Sequence, residues 1–224
     1  MQRVPIVYFS DILCVWAYWA QLRIDEVTRN FGDQVEFQPR FCAIFGDTAN
    51  KMATGWAAKG GYDGFRAHLM HAAEAFPEAP LNPEIWASVR PTSSLAPHLV
   101  LKAIQVGTAD GDIAPGVFDR AVIGMRRAFF EQAQDISAAR VQHAVAEAAG
   151  ADLAAVMRLL GNGRAHAALS TDYSQATTMG VQGSPTFVLN EGRQKLYGNV
   201  GYRIIEANIQ ELLRKPSADQ ASWC

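Results

Sequence analysis

Apolar and polar positions follow a changing rhythm along the chain, and each change predicts an element. "RVPIVYFS", residues 3–10, is a short β-branched and aromatic run that stops at the polar pair Ser10–Asp11. That is the pattern of a buried strand. From Val15 the period becomes helical, with Trp16, Trp19, Ala20, Ile24 and Val27 on one stripe and Gly32 as the stop. "VEFQPRFCAI", residues 35–44, alternates like a second strand, and Pro39 marks an irregularity or an exposed N–H position in it.

A long helical middle follows. "DGFRAHLMHAAEAF" repeats Phe65, Leu69, Ala72 and Phe76 on one face, and turns at Pro77, Pro80 and Pro83 end it. "SSLAPHLVLKAIQVG" and "GVFDRAVIGMRRAFFEQA" read as two further helices. "DISAARVQHAVAEAAG" offers an N-cap at Ser137, a stripe through Val141 and Val145, and a stop at Gly150. The device repeats from Asp152 to Gly161. Strand character returns in "SPTFVLN", residues 184–190, with Glu191 and Gly192 turning into the hairpin partner "RQKLYG". "YRIIEANIQELLRK" is a closing amphipathic helix. Strand–helix–strand and hairpin–helix units can share one sheet if the helical block between them is an insertion.

Composition narrows the class. The 224 residues are 49% hydrophobic and 19% charged, enough for one large domain with a real core. A formal net charge of −2 disfavours nucleic acid as a partner. The apolar stretch 4–20 is broken by Pro5, Ser10 and Asp11, so it reads as neither a signal peptide nor a membrane span. The expectation is a soluble, cytoplasmic protein. Three scattered cysteines, Cys14, Cys42 and Cys224, form no disulfide framework and suit free thiols.

Cys14 falls between the first strand and the first helix. Free backbone N–H groups and the positive end of the helix dipole favour a thiolate there. Cysteines so placed have pKa values lowered to roughly 3.5–7.5. Asp11 either opposes ionisation or accepts a proton, and Trp16 and Tyr18 are placed to shield one side. The blander reading is a small buried hydrophobe. The second cue is "VQGSPTF", residues 181–187, where Pro185 at a strand entry suggests a kinked or cis peptide bond. A cis bond would leave the Ser184 backbone free to pair with an extended peptide.

With both pieces in view, the sequence resembles the DsbA-like thioredoxin-fold family. The carriers are Asp11, Cys14 and Trp16 after the first strand, the helical insertion, and the late "GVQGSPTFVLN". The nearest branch is the cytoplasmic one, related to 2-hydroxychromene-2-carboxylate isomerase and kappa-class glutathione transferase. The resemblance implies a thioredoxin-like α/β fold with a large all-helical insertion. The thioredoxin-like domain would comprise residues 1–45 and 181–215, the insertion 46–180, and a C-terminal tail 216–224. Cys14 matches the attacking cysteine and Trp16 the tryptophan between the cysteines. Ser184 and Pro185 match the substrate-binding cis-proline turn. Val15 and Ala17 depart from the pattern, and Ala17 occupies the place of the resolving cysteine.

The implied activity is thiol–disulfide exchange through Cys14 alone, with glutathione as the second thiol and no permanently bound cofactor. Small thiol or disulfide substrates, and peptide disulfides, are the implied partners. The alternatives are a glutathione-dependent isomerase or transferase, in which Cys14 or Ser10 holds the glutathione thiolate, and a non-catalytic binding module. Cys42, near the end of the second strand, is an alternative second thiol, with a buried structural thiol as the plainer reading. His68 and His71 have a metal-compatible spacing but no completing ligand, so no metal is expected. Arg126 and Arg127 beside aromatics fit an ordinary amphipathic helix better than a pocket for an acidic group.

Overall fold

The first apolar run forms β1 (Val4–Ser10), and the helical stripe after it forms α1 (Val15–Phe31), which ends at Gly32 with φ 51°. The second alternating run forms β2 (Val35–Phe41), parallel to β1. The late strands are β3 (Thr186–Leu189) and β4 (Gln194–Tyr197), followed by the closing helix α9 (Tyr202–Leu213). The computed structural model describes residues 3–214. Sheet order is β2-β1-β3-β4, with β3 antiparallel to both β1 and β4. β2 lies at an edge, and this is where its Pro39 is tolerated.

Period-two alternation sends the β1 side chains to two cores. Val4, Ile6 and Tyr8 pack with Ala20 and Val27 of α1 and with Ile205 and Ile209 of α9. Phe9, on the opposite face, packs with Cys42, Ala176 and Val188. Between β2 and β3 run α2 (Thr48–Gly55), α3 (Gly61–Ala73), α4 (Leu95–Asp110), α5 (Val117–Phe130), α6 (Ala139–Ala148), α7 (Leu153–Gly161) and α8 (Arg164–Thr178). Their core includes Trp86, Phe129, Phe130 and Leu101, and it continues into the first turn of α1 through Ala17, Tyr18 and Trp19.

Three local expectations change. α3 stops at Ala73, and Phe76 lies beyond it in a turn, stacked on Trp19 at 4.3 Å. Ser137 does not cap α6. Ala138 holds that position, while the Ser137 hydroxyl donates to Asp135 Oδ1. Helices α2 and α8 form where the sequence shows no strong apolar stripe.

A buried ion pair joins the helical block to the sheet. Lys102 on α4 meets Asp172 on α8, and both side chains are about 4% exposed. Asp172 Oδ2 also accepts the Phe41 backbone N–H at 2.9 Å, at the end of β2. Removing Lys102 leaves the buried Asp172 with only the Phe41 N–H and the longer, 3.6 Å approach of the partly exposed Arg40 Nε. Lys102→Met should therefore lower unfolding free energy in urea by about 3 kcal/mol. A loss below about 1 kcal/mol would contradict this account of the junction.

Candidate active site

The turn between β1 and α1 is held from three sides. The Asp11 carboxylate is fully buried within it. Its Oδ1 accepts the Leu13 N–H at 2.9 Å; its Oδ2 accepts the Phe45 N–H at 2.7 Å and the Ser94 hydroxyl at 2.9 Å. The Asp11 N–H in turn donates to Ser184 Oγ at 2.9 Å. The next N–H, of Ile12, donates to His98 Nε2 at 3.0 Å. One short turn is thereby tied to the chain after β2, to α4 and to the entry of β3.

His98 is neutral in this arrangement. Its Nε2 accepts a backbone N–H, so the ring proton lies on Nδ1, which faces the Tyr173 hydroxyl at 3.0 Å. Burial pushes its pKa down to about 3, helped by the charges of Lys102 and Arg126. The 3.9 Å approach of His98 to Asp11 is thus not an ion pair.

Cys14 occupies the N-cap position of α1, and its Sγ donates to the Ser184 carbonyl at 3.1 Å. The Ser184–Pro185 bond is cis. Gly183 before it allows close approach, since a Cβ there would run into the ring of Tyr197. The thiol takes one of the two lone pairs of the Ser184 carbonyl, the acceptor that the sequence leaves to an extended peptide, and the other lone pair remains.

The lowered thiol pKa is also corrected. Cys14 is 5% exposed, and burial pushes its pKa up. The Ser184 hydroxyl and the backbone N–H groups of Ala17 and Trp16 act in the other direction, while the Asp11 charge raises it further. The helix N-terminus does favour the thiolate, but desolvation outweighs it.

Asp11 thus positions the turn and repels a thiolate. Trp16 is half-buried against Trp19 and Phe76. Ala17 is fully buried. Tyr18 stacks on Phe130 and donates to Glu131 at 2.8 Å, so it anchors α1 to α5 instead of shielding the sulfur. The Ser10 hydroxyl accepts from Arg126 Nη2 at 3.2 Å and is committed to that side chain.

Cys42 follows β2. Its N–H donates to the Ser10 carbonyl, and its side chain sits in the cluster with Phe9 and Ala176. Burial pushes its thiol pKa up, and the charges of Asp11 and Cys14 add to the effect. Cys14 and Cys42 are both free thiols, and Cys224 lies outside the described residues. Among the described residues no three His, Cys, Asp or Glu side chains are grouped to hold a metal ion. No described helix is long and apolar enough to cross a membrane.

Sequence reasoning missed Ser94 and His98. Both lie in or next to α4, more than 80 residues from the turn they hold. Their only sequence signal is polarity at positions that face a core.

A family model described as "DSBA-like thioredoxin domain" matches residues 5–210. The chain belongs to the DsbA-like thioredoxin domain family. No curated protein matches it. Among solved structures it is similar to a probable DsbA oxidoreductase from Streptomyces coelicolor, with 18% identity and a TM-score of 0.74 over 96% of this chain and 93% of that one. It is also similar to the cytosolic disulfide reductase DsbM from Pseudomonas aeruginosa, solved with GSH. Identity there is 17% and the TM-score 0.66, over 92% of this chain and 99% of that one. A 2-hydroxychromene-2-carboxylate isomerase matches with 16% identity and a TM-score of 0.59, covering 93% and 95%. At these identities the likeness establishes the fold.

Asp11 supplies a pH signature. Burial raises its pKa from 3.8 to about 6, against the hydrogen bonds from Phe45, Leu13 and Ser94. Below the unfolded value both states are protonated, and its contribution to stability is complete. As pH rises through about 6 the buried carboxyl must ionise, and stability falls relative to Asp11→Asn by about 3 kcal/mol. Urea unfolding of both proteins from pH 4 to pH 7 should show this drift, and a constant difference would refute it.

Proposed function

We propose that this chain is a DsbA-like thiol–disulfide oxidoreductase that works through Cys14 alone, with glutathione as the second thiol. The observation carrying this reading is the placement of Cys14 Sγ at the start of α1, 3.1 Å from the carbonyl before cis-Pro185, with Ala17 buried where a second thiol would stand. The likeness to a cytosolic reductase solved with GSH supports the choice of glutathione. The free thiols of Cys14 and Cys42 suit a reducing cytoplasm.

In the first step the Cys14 thiolate attacks the glutathionyl sulfur of a mixed disulfide. A new S–S bond forms to Cys14, and the substrate sulfur leaves as a thiolate that takes up a proton. In the second step the thiolate of another glutathione attacks that bond and releases Cys14. The mixed disulfide is reduced to the substrate thiol, its glutathionyl group and the one incoming glutathione leave together as oxidised glutathione, and Cys14 leaves as a thiolate ready for the next turn. Asp11 and His98 hold the turn, Trp16 forms its half-buried wall, and Ser184 and Pro185 form the substrate side. Attack requires the thiolate, so the raised pKa of Cys14 makes the reaction slow at neutral pH and faster in base.

A second reading rests on the protonated, buried thiol itself. The Cys14 S–H already donates a hydrogen bond to Ser184. It could donate one to a bound glutathione thiolate without forming a disulfide, which suits a glutathione-dependent isomerase or transferase.

Oxidised glutathione should add one glutathionyl group, seen by intact mass, and reduced glutathione should remove it. The adduct should be absent from Cys14→Ser and retained in Cys42→Ser. Its formation rate should climb about tenfold per pH unit and continue to rise past the ordinary cysteine value of about 8.5 without levelling off there. Failure of the adduct to form, with reduced glutathione still bound, would favour the second reading. An internal disulfide, or lost turnover in Cys42→Ser, would make Cys42 the second thiol. Neither adduct nor binding would leave a non-catalytic module.

A further inference from the structure

On the face of the sheet covered by α1, between β2 and α5, lies a cavity of about 580 Å³. Cys14 does not line it. Its walls are largely apolar, with Ile24, Phe37, Phe118 and Val122 among them. Asp25, Arg29 and Asp119 are exposed members of its lining, and the Asp119 carboxyl is desolvated enough that burial pushes its pKa up, with Arg120 acting in the other direction. Arg126 and Tyr8 contribute to it from the buried side.

Arg126 on α5 is 2% exposed, and no carboxylate among the described residues forms an ion pair with it. Its Nη1 donates to Gln21 Oε1 at 3.1 Å and its Nη2 to Ser10 Oγ at 3.2 Å. Both acceptors are neutral. Its Nε and the hydroxyl of Tyr8, which is 5% exposed, are buried with no partner at full hydrogen-bond geometry, although the Arg126 side chain lies close enough to act on the hydroxyl through charge and hydrogen bonding. A guanidinium carries its charge permanently, and a buried ion without a counter-ion costs several kcal/mol. Buried polar groups are normally paired, so two orphans on one cavity call for an explanation.

We propose that this cavity binds a small amphipathic organic acid, its carboxylate accepting from Arg126 Nε and the Tyr8 hydroxyl and its apolar body lying among Phe37, Phe118 and Val122. The guanidinium and the hydroxyl lie side by side and present two donors to the two oxygens of one carboxylate. The other guanidinium nitrogens, held by Gln21 and Ser10, fix the orientation of the fork. Burial lifts the Tyr8 phenol to about 12 despite the lowering effect of Arg126, so it remains an O–H donor at neutral pH. The volume falls within the roughly 300–1,000 Å³ usual for small-molecule sites. This site is separate from the thiol site and independent of the reading given to Cys14.

Isothermal titration of the full chain with octanoate, octanamide and octylammonium tests the assignment. Octanoate should bind with a Kd below about 1 mM. The isosteric amide should bind at least about tenfold more weakly, and the cation not at all. Arg126→Gln should erase the preference for acid over amide. Tyr8→Phe removes one hydroxyl from an otherwise unchanged ring; it should weaken octanoate several-fold and leave octanamide unaffected, which keeps the test decisive if Arg126→Gln does not fold. Cys14→Ser should bind octanoate like wild type. Equal affinity for acid and amide, or no octanoate binding at about 10 mM, would overturn the proposal. Loss of binding in Cys14→Ser would overturn the separation of the two sites.

Discussion

The buried carboxylate of Asp11 is the constraint on which the site depends. A charged group with no solvent exposure persists only where donors surround it. Here the donors come from its own turn, from Phe45 after β2 and from Ser94 beside α4. Satisfying Asp11 therefore requires the helical block to be docked on the sheet. The same docking delivers His98 to the Ile12 N–H, while the pairing of β3 with β1 brings Ser184 to the Asp11 N–H. Cys14, three residues on, inherits its position from this network. Thiol placement and packing between sheet and insertion are one structural event.

The network also sets the electrostatics of the sulfur. A helix N-terminus on its own lowers a thiol pKa. In this turn the thiol is sealed by the core, donates to a carbonyl, and shares the turn with an anion. Each of these favours the S–H form, and together they outweigh the N–H groups of Trp16 and Ala17. The missing second cysteine and the protonated first one bear on chemistry in the same way. Both remove the means for fast intramolecular exchange and leave the next step to an incoming thiol.

The sequence revealed whatever was encoded locally. β1, α1 and the closing hairpin–helix show clean apolar periods, and the proline at "GSP" marks its own turn. α8 was hidden because its buried positions are Ala165, Leu169, Asp172 and Ala176, with a single large apolar side chain among them. α2 was hidden for the same reason, with Thr48 and Met52 as its buried residues. Ser94 and His98 could not be assigned because their partners lie across the fold. The sequence places Arg126 on an amphipathic helix. Its periodicity is indeed that of α5, but only the packed structure shows that its face of the helix is turned inward beside a cavity.

A buried Cys14 thiol is held protonated by the turn that positions it. Titration of its thiolate absorbance in a Cys42→Ser background tests this most directly, with Cys14→Ser subtracted to remove tyrosine and any other thiol. The midpoint should lie above the ordinary cysteine value of about 8.5. A midpoint below about 7.5 would show that the helix N-terminus dominates and would contradict the account.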